Sequence, residues 1–161
     1  MSGFRIYGFL EAFEDDRLLL RTDNLIVDLG LEIVSRIIGN GAGSPTVGGV
    51  GFSSLSDIAV TRMILSDRSS PPVPDPADTS ATLGSILPAR PLTVLYPDDQ
   101  TIQYVTTIPL YDTDYAGLSI GEEALLTSAK HNHLFARTTF TPITKADPAL
   151  TFRHTFQFER T

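Results

Sequence analysis

The chain has 161 residues, no cysteine, and a formal net charge of −7 with a pI of about 4.8. That length suits one domain, which at this size buries roughly two thirds of its extended surface and needs no disulfide or metal to hold a core. The acidic balance argues against phosphate-backbone binding and gains nothing from anionic membranes, the lack of cysteine removes thiol chemistry, and no apolar run is long enough to span a bilayer.

The opening "FRIYGFLEAFEDDRLLLRTDN" reads as two strands around an acidic turn. Arg5, Tyr7, Phe9, Glu11 and Phe13 share one parity, and Phe4, Ile6, Leu10 and Ala12 the other. Glu14, Asp15 and Asp16 favour the turn. The stretch before it, "MSGFRIYGFL", lacks the apolar run of a signal peptide. "NLIVDLGLEIVSRIIGNG" follows, with Leu29, Ile33 and Ile37 at helical spacing. Asp28 suits the cap and Gly39 the stop, so the sequence predicts one short helix over about 28–38, packed on a sheet.

Residues 39–56 form a Gly-rich loop. It follows a helix instead of opening one and has no lysine partner, so it does not read as a phosphate cradle. "DIAVTRMILSD" is strand-like with apolar residues on both parities, which suggests an inner strand. Residues 67–88 are Pro-rich and read as a long extended loop, laid over the domain or onto a neighbour. The remainder alternates. "RPLTVLYPDDQTIQYVTTIPL" is a hairpin turning at Pro97 to Gln100, and "GLSIGEEALLTSAKHNHLFARTTFTPI" is a second hairpin. In the last strand Leu150, Phe152, His154, Phe156 and Phe158 face one way. The pattern as a whole is mainly β: a single β-sandwich or jelly-roll-like domain over 1–161.

Candidate chemistry is sparse. His131 and His133, two of the three histidines, lie one residue apart and would share a strand face. Two nitrogens are too few for a tight metal site in one chain. Around a threefold axis three copies would offer six, but a hydrated hairpin turn is the plainer reading. His154 reads as a hydrogen-bonded core histidine. Asp112 and Asp114, or Asp98 and Asp99, have carboxylate spacing of the kind calcium uses, without the EF-hand pattern, and read as solvated turns. Glu122 and Glu123, with Glu11, Glu14 and Asp15, would serve as a glycosidase pair only if two of them faced each other across a cleft. There is no G-x-S-x-G elbow. No enzyme and no cofactor are expected.

The order of segments adds a resemblance. "EAFEDDRLLLR", then "NLIVDLGLEIVSRIIGNG", then "DIAVTRMILSDRSSPPVPDPADTSATLG", and later "LSIGEEALL" before "LFARTTFTPITKADPALTFRHTFQF", resembles a group of small β-sandwich virion proteins of tailed bacteriophages. The resemblance covers most of the chain, and its motifs are structural. It implies a capsid decoration (cement) protein, a homotrimer, whose partner is the major capsid protein and which resides in the virion. A tail, baseplate or fibre component is the alternative, and a carbohydrate-binding sandwich using Tyr96, Tyr104, Tyr111 and Tyr115 a more distant one. Under the first reading Arg68 and Arg90 are the candidate partner contacts, pairing with acidic capsid groups.

Overall fold

The structure, a computed structural model, describes residues 4–38, 46–47, 50–51, 54–128 and 132–160. In chain order the elements are β1 (Phe4–Glu14), β2 (Arg17–Asp23), β3 (Leu25–Ile26), α1 (Asp28–Ile38), β4 (Thr46–Val47), β5 (Val50–Gly51), α2 (Leu55–Ile58) and β6 (Val60–Asp67). A 3-10 turn at Ser80–Thr82 precedes β7 (Ser85–Ile86), β8 (Leu92–Asp98), β9 (Thr101–Ile108), β10 (Ser119–Thr127), β11 (Leu134–Thr144) and β12 (Leu150–Arg160). The strands form two antiparallel five-stranded sheets, β2-β1-β12-β9-β8 and β3-β11-β10-β6-β7, and a small β4-β5 ribbon. This is the expected mainly-β sandwich with one substantial helix.

Local chemistry explains the elements. The first turn forms where Asp15 takes a positive φ of 49°, a conformation that Asp tolerates better than most residues. On β1 the alternation holds: Leu10 and Ala12 are fully buried. On the other parity Tyr7, Phe9 and Phe13 lie under the guanidinium groups of Arg5, Arg21 and Arg153, at 4.2, 3.9 and 4.8 Å from the ring centres. On β12, Leu150, Phe152, His154 and Phe156 are buried as the pattern requires. The two sheets meet through edge-on contact of Phe135 with Phe156 and tilted contact of Phe140 with Phe152. Around these rings Leu10, Met63, Leu65, Ile108, Ile120 and Leu125 complete the core.

Helix α1 has the expected bounds, but Asp28 stands inside its first turn, where a carboxylate favours the helix dipole, and the Val27 carbonyl accepts the N–H of Leu31. Gly39, the expected stop, lies outside the described residues. Gly30 lets the helix lie against β11: a Cβ there would stand 2.1 Å from the Phe135 carbonyl oxygen. Two expectations change. The segment read as one strand from Asp57 begins instead with α2. The Ser54 N–H donates to the Asp57 carboxylate at 3.2 Å and the Asp57 N–H to the Ser54 carbonyl at 3.1 Å, which favours a helical turn over a strand. And β6 is flanked by β10 along its length but by β7 only at Ser66 and Asp67, so it is inner for one end alone.

The Pro-rich loop lies on this chain's own second sheet. Its Pro76 carbonyl accepts the Asp28 N–H at 2.9 Å. Leu83 packs on the outer cluster of Val27, Ile64, Ala124 and Leu126. The loop therefore acts as a cover for a sheet face that would otherwise meet water.

Candidate functional site

Neighbouring residues on a strand point to opposite faces, and Glu122 and Glu123 on β10 follow that rule into two separate polar clusters. Both are fully buried. They face away from each other, not across a cleft. Glu11 and Glu14 sit apart from them, paired with Arg21 and Arg17.

Glu122 points outward, beneath the Pro-rich cover. Its Oε1 accepts from Arg137 Nε at 2.7 Å, and its Oε2 from the Gly84 N–H at 2.7 Å, with Arg68 Nε 3.2 Å away. Arg137, on β11, also donates to Asp78 in the cover. Burial alone would lower the Arg137 pKa, but Asp78 and Glu122 outweigh it and raise it. Burial likewise favours the neutral form of Asp78. The Asp75 backbone and Arg137 reverse that and hold its carboxyl below the ordinary value of 3.8. Arg68 completes the cluster by donating to the Thr82 carbonyl at 2.7 Å. A Cβ at Gly84 would stand 2.2 Å from Arg68 Nε, so a larger residue there would displace the Arg68 side chain.

Glu123 points inward. Its Oε2 lies 2.8 Å from His154 Nδ1 on the opposite sheet, and the Asn24 amide lies 2.7 Å from His154 Nε2. With the Asn24 amide donating, Nδ1 carries the ring proton toward the carboxylate. His154 is fully buried and stacks on Phe156 at 4.8 Å between ring centres. Asn24 occupies the step from β2 to β3, where the chain passes from one sheet to the other. The trio ties that crossover to both sheets, and no serine or threonine hydroxyl among the described residues bonds to it. His154 is the hydrogen-bonded core histidine the sequence implied.

Arg90 belongs to a third cluster. It donates to both carboxylate oxygens of Asp112, at 2.7 and 2.8 Å, and to Asp114 at 2.8 Å. The acids of the "YDTDY" turn thus hold an arginine. Beside them Tyr115 is buried, donates to the Pro88 carbonyl at 2.6 Å, and has its pKa pushed by burial up to about 12. Arg68 and Arg90, the candidate partner contacts, therefore both have intramolecular partners. Asp98 accepts from the Gln100 N–H and the Thr101 hydroxyl and so builds its own hairpin turn.

Of the histidine pair, His131 lies outside the described residues. His133 is buried; its N–H donates to the Thr127 hydroxyl and its carbonyl accepts the Thr127 N–H, both at 3.0 Å. Asn132, at φ 52°, makes the turn between them. No cluster of three metal-ligating side chains occurs among the described residues.

One open cleft is apolar. It has a volume of about 380 Å³ and lies where β8 and the start of β6 face each other across the sandwich. Val94, Tyr96 and Tyr104 line it from the first sheet, Val60 and Phe135 from the second, and Ile33 from α1. All its lining residues are uncharged. Burial pushes the Tyr104 pKa up to about 12. Of the tyrosines suggested for a sugar platform, Tyr96 and Tyr111 are exposed, while Tyr115 is buried and Tyr104 turns into the cleft.

Sequence reasoning missed Arg137, Asp78 and Asn24 as members of the buried clusters. A signal existed: "EE" and "R" sit in the middle of otherwise apolar strands, and a buried charge demands a partner. No family model matches the chain, and no curated protein or solved structure does.

Proposed function

We propose that this chain is a non-enzymatic structural protein of a tailed-phage virion, a capsid decoration protein that acts as a homotrimer and joins capsid subunits. The observation that carries the reading is a contrast within the molecule. Glu122, Glu123 and Arg137 are paired within the interior, while a sheet edge without charge from Leu92 to Tyr96 and an apolar cleft stay open at the surface. Such a molecule has its recognition chemistry at a surface suited to other protein chains. The segment order described above supports the phage assignment. Contact with the shell is assigned to the β8 side, since Arg68 and Arg90 are engaged internally.

Quantitative peptide mass spectrometry of intact phage particles tests this. A decoration protein is expected at hundreds of copies per particle. A handful to dozens would assign the chain to tail, baseplate or fibre, and absence from particles would overturn the virion reading. Native mass spectrometry of the purified chain, with and without chelator, tests the trimer and any metal held by His131 and His133.

A further inference from the structure

Four edges bound the two five-stranded sheets. Edges β3 and β7 are two residues long. Edge β2 carries Arg17, Arg21 and Asp23 and pairs with β1 through a register shift. Short strands, charges and bulges are the devices that block strand addition. Edge β8 has them only at its turn end: from Leu92 to Tyr96 it has no charge, and a register shift against β9 between Leu95 and Asp98, with Pro97 and Asp98 themselves, guards that end. Its Val94, Leu95 and Tyr96 are 36%, 44% and 72% exposed. Across the cleft, β6 from Val60 to Ile64 has no neighbouring strand on the β7 side among the described residues. The Tyr104 hydroxyl, inside the cleft, has no hydrogen-bond partner among those residues.

We propose that the β8 edge and the cleft beside it receive an extended, uncharged segment of a neighbouring virion subunit. The segment adds as a strand along β8 and sets alternate apolar side chains between β8 and β6. The occupant's chemistry follows from the site. Unpaired backbone along β8 calls for an extended chain that supplies the missing donors and acceptors. Uncharged walls in a chain of net charge −7 call for an uncharged segment, because a charge buried there would find no partner. A strand's period of two fills the cleft from one side only. Tyr104 offers its hydroxyl to a carbonyl of the incoming chain. This deepens the structural reading above and rests on it only for the segment's source.

The test uses the full chain, ¹⁵N-labelled, titrated with a peptide alternating threonine and valine between terminal lysines. Amide shifts are expected at Leu92 to Tyr96, at Tyr104 and at Val60 to Ile64. The same peptide N-methylated on alternate amides should bind at least about tenfold more weakly, as should Val94→Lys. The spectrum reports whether that variant is folded, and Tyr96→Lys, at a more exposed position, is the second variant. No shift at about 1 mM peptide, or equal binding of the methylated form, overturns the proposal. So does a dimer without peptide that Val94→Lys dissolves, which would give the edge to a second copy. Copy number in particles is a separate measurement, so the docking reading and the virion reading fail independently.

Discussion

The outer face of the second sheet and the β8 side of the first are two solutions to one problem, an apolar sheet that must not meet water. On the second sheet the chain covers itself: the Pro-rich segment lies across it, pinned through Asp78, Arg137 and Glu122, with Leu83 on the apolar cluster beneath. On the β8 side the cover is missing among the described residues, and Val94, Leu95 and Tyr96 are left exposed beside the cleft. The comparison shows where this molecule uses charge. Buried ion pairs are costly to leave half-made, so they fix one arrangement of cover and sheet. An edge without charge from Leu92 to Tyr96 fixes no such arrangement within the chain.

That comparison can be broken at its strongest point by removing one partner of a buried pair. Arg137→Ala leaves the fully buried Glu122 with only the Gly84 N–H and Arg68, takes the ion pair from Asp78, and should cost about 3 kcal/mol of unfolding free energy in urea titrations. The double variant Arg137→Met, Glu122→Met should recover only part of that loss, because the buried pair goes together but Asp78 and Arg68 each lose a partner. Next comes the inner cluster. His154→Leu should cost roughly 3 kcal/mol by leaving Glu123 alone in the core, and adding Glu123→Leu should restore stability. If the double variants are as unstable as the singles, packing and not charge pairing holds the cover.

Smaller effects sharpen the contrast. Tyr115→Phe removes the bond to the Pro88 carbonyl and should cost about 1 kcal/mol. The wild type should also lose stability between pH 10 and about 12, because the unfolded tyrosine ionises at its ordinary 10.0 while the folded one stays neutral. That part of the loss should vanish in the variant. Asp78 works in the other direction. Its folded pKa lies below 3.8, so its contribution is present above that value and fades as pH falls through the folded pKa. Acid titrations of Asp78→Asn should show a shallower decline. At the small end, Val94→Thr on the open edge should change stability by no more than about 0.5 kcal/mol, while weakening docking.

Much of the fold was legible because its signals are local. The alternation in "LTFRHTFQF" placed Leu150, Phe152, His154 and Phe156 in the core, and the acidic turn at residues 14–16 and the helix over 28–38 stand where the spacing put them. The misread segment at Asp57 failed for a local reason too, since its capping serine precedes the apolar run that suggested a strand. The candidate residues fared differently. Glu122 and Glu123 read as a pair that would matter only across a cleft, and Arg68 and Arg90 as contacts to a partner, because a sequence gives the identity of a charge but not its counterpart.

The sequence by itself thus determined the β class, the hairpins, the helix and the inward face of the last strand, all properties of residues a few positions apart. Only the tertiary structure decided that Asp78 reaches Arg137, that Asn24 and Glu123 meet on His154, and that β8 remains an open edge. Those depend on which strands become neighbours and on what covers each sheet. They are set by burial across the whole domain, where a charge must find a partner and a backbone edge either finds a strand or stays exposed.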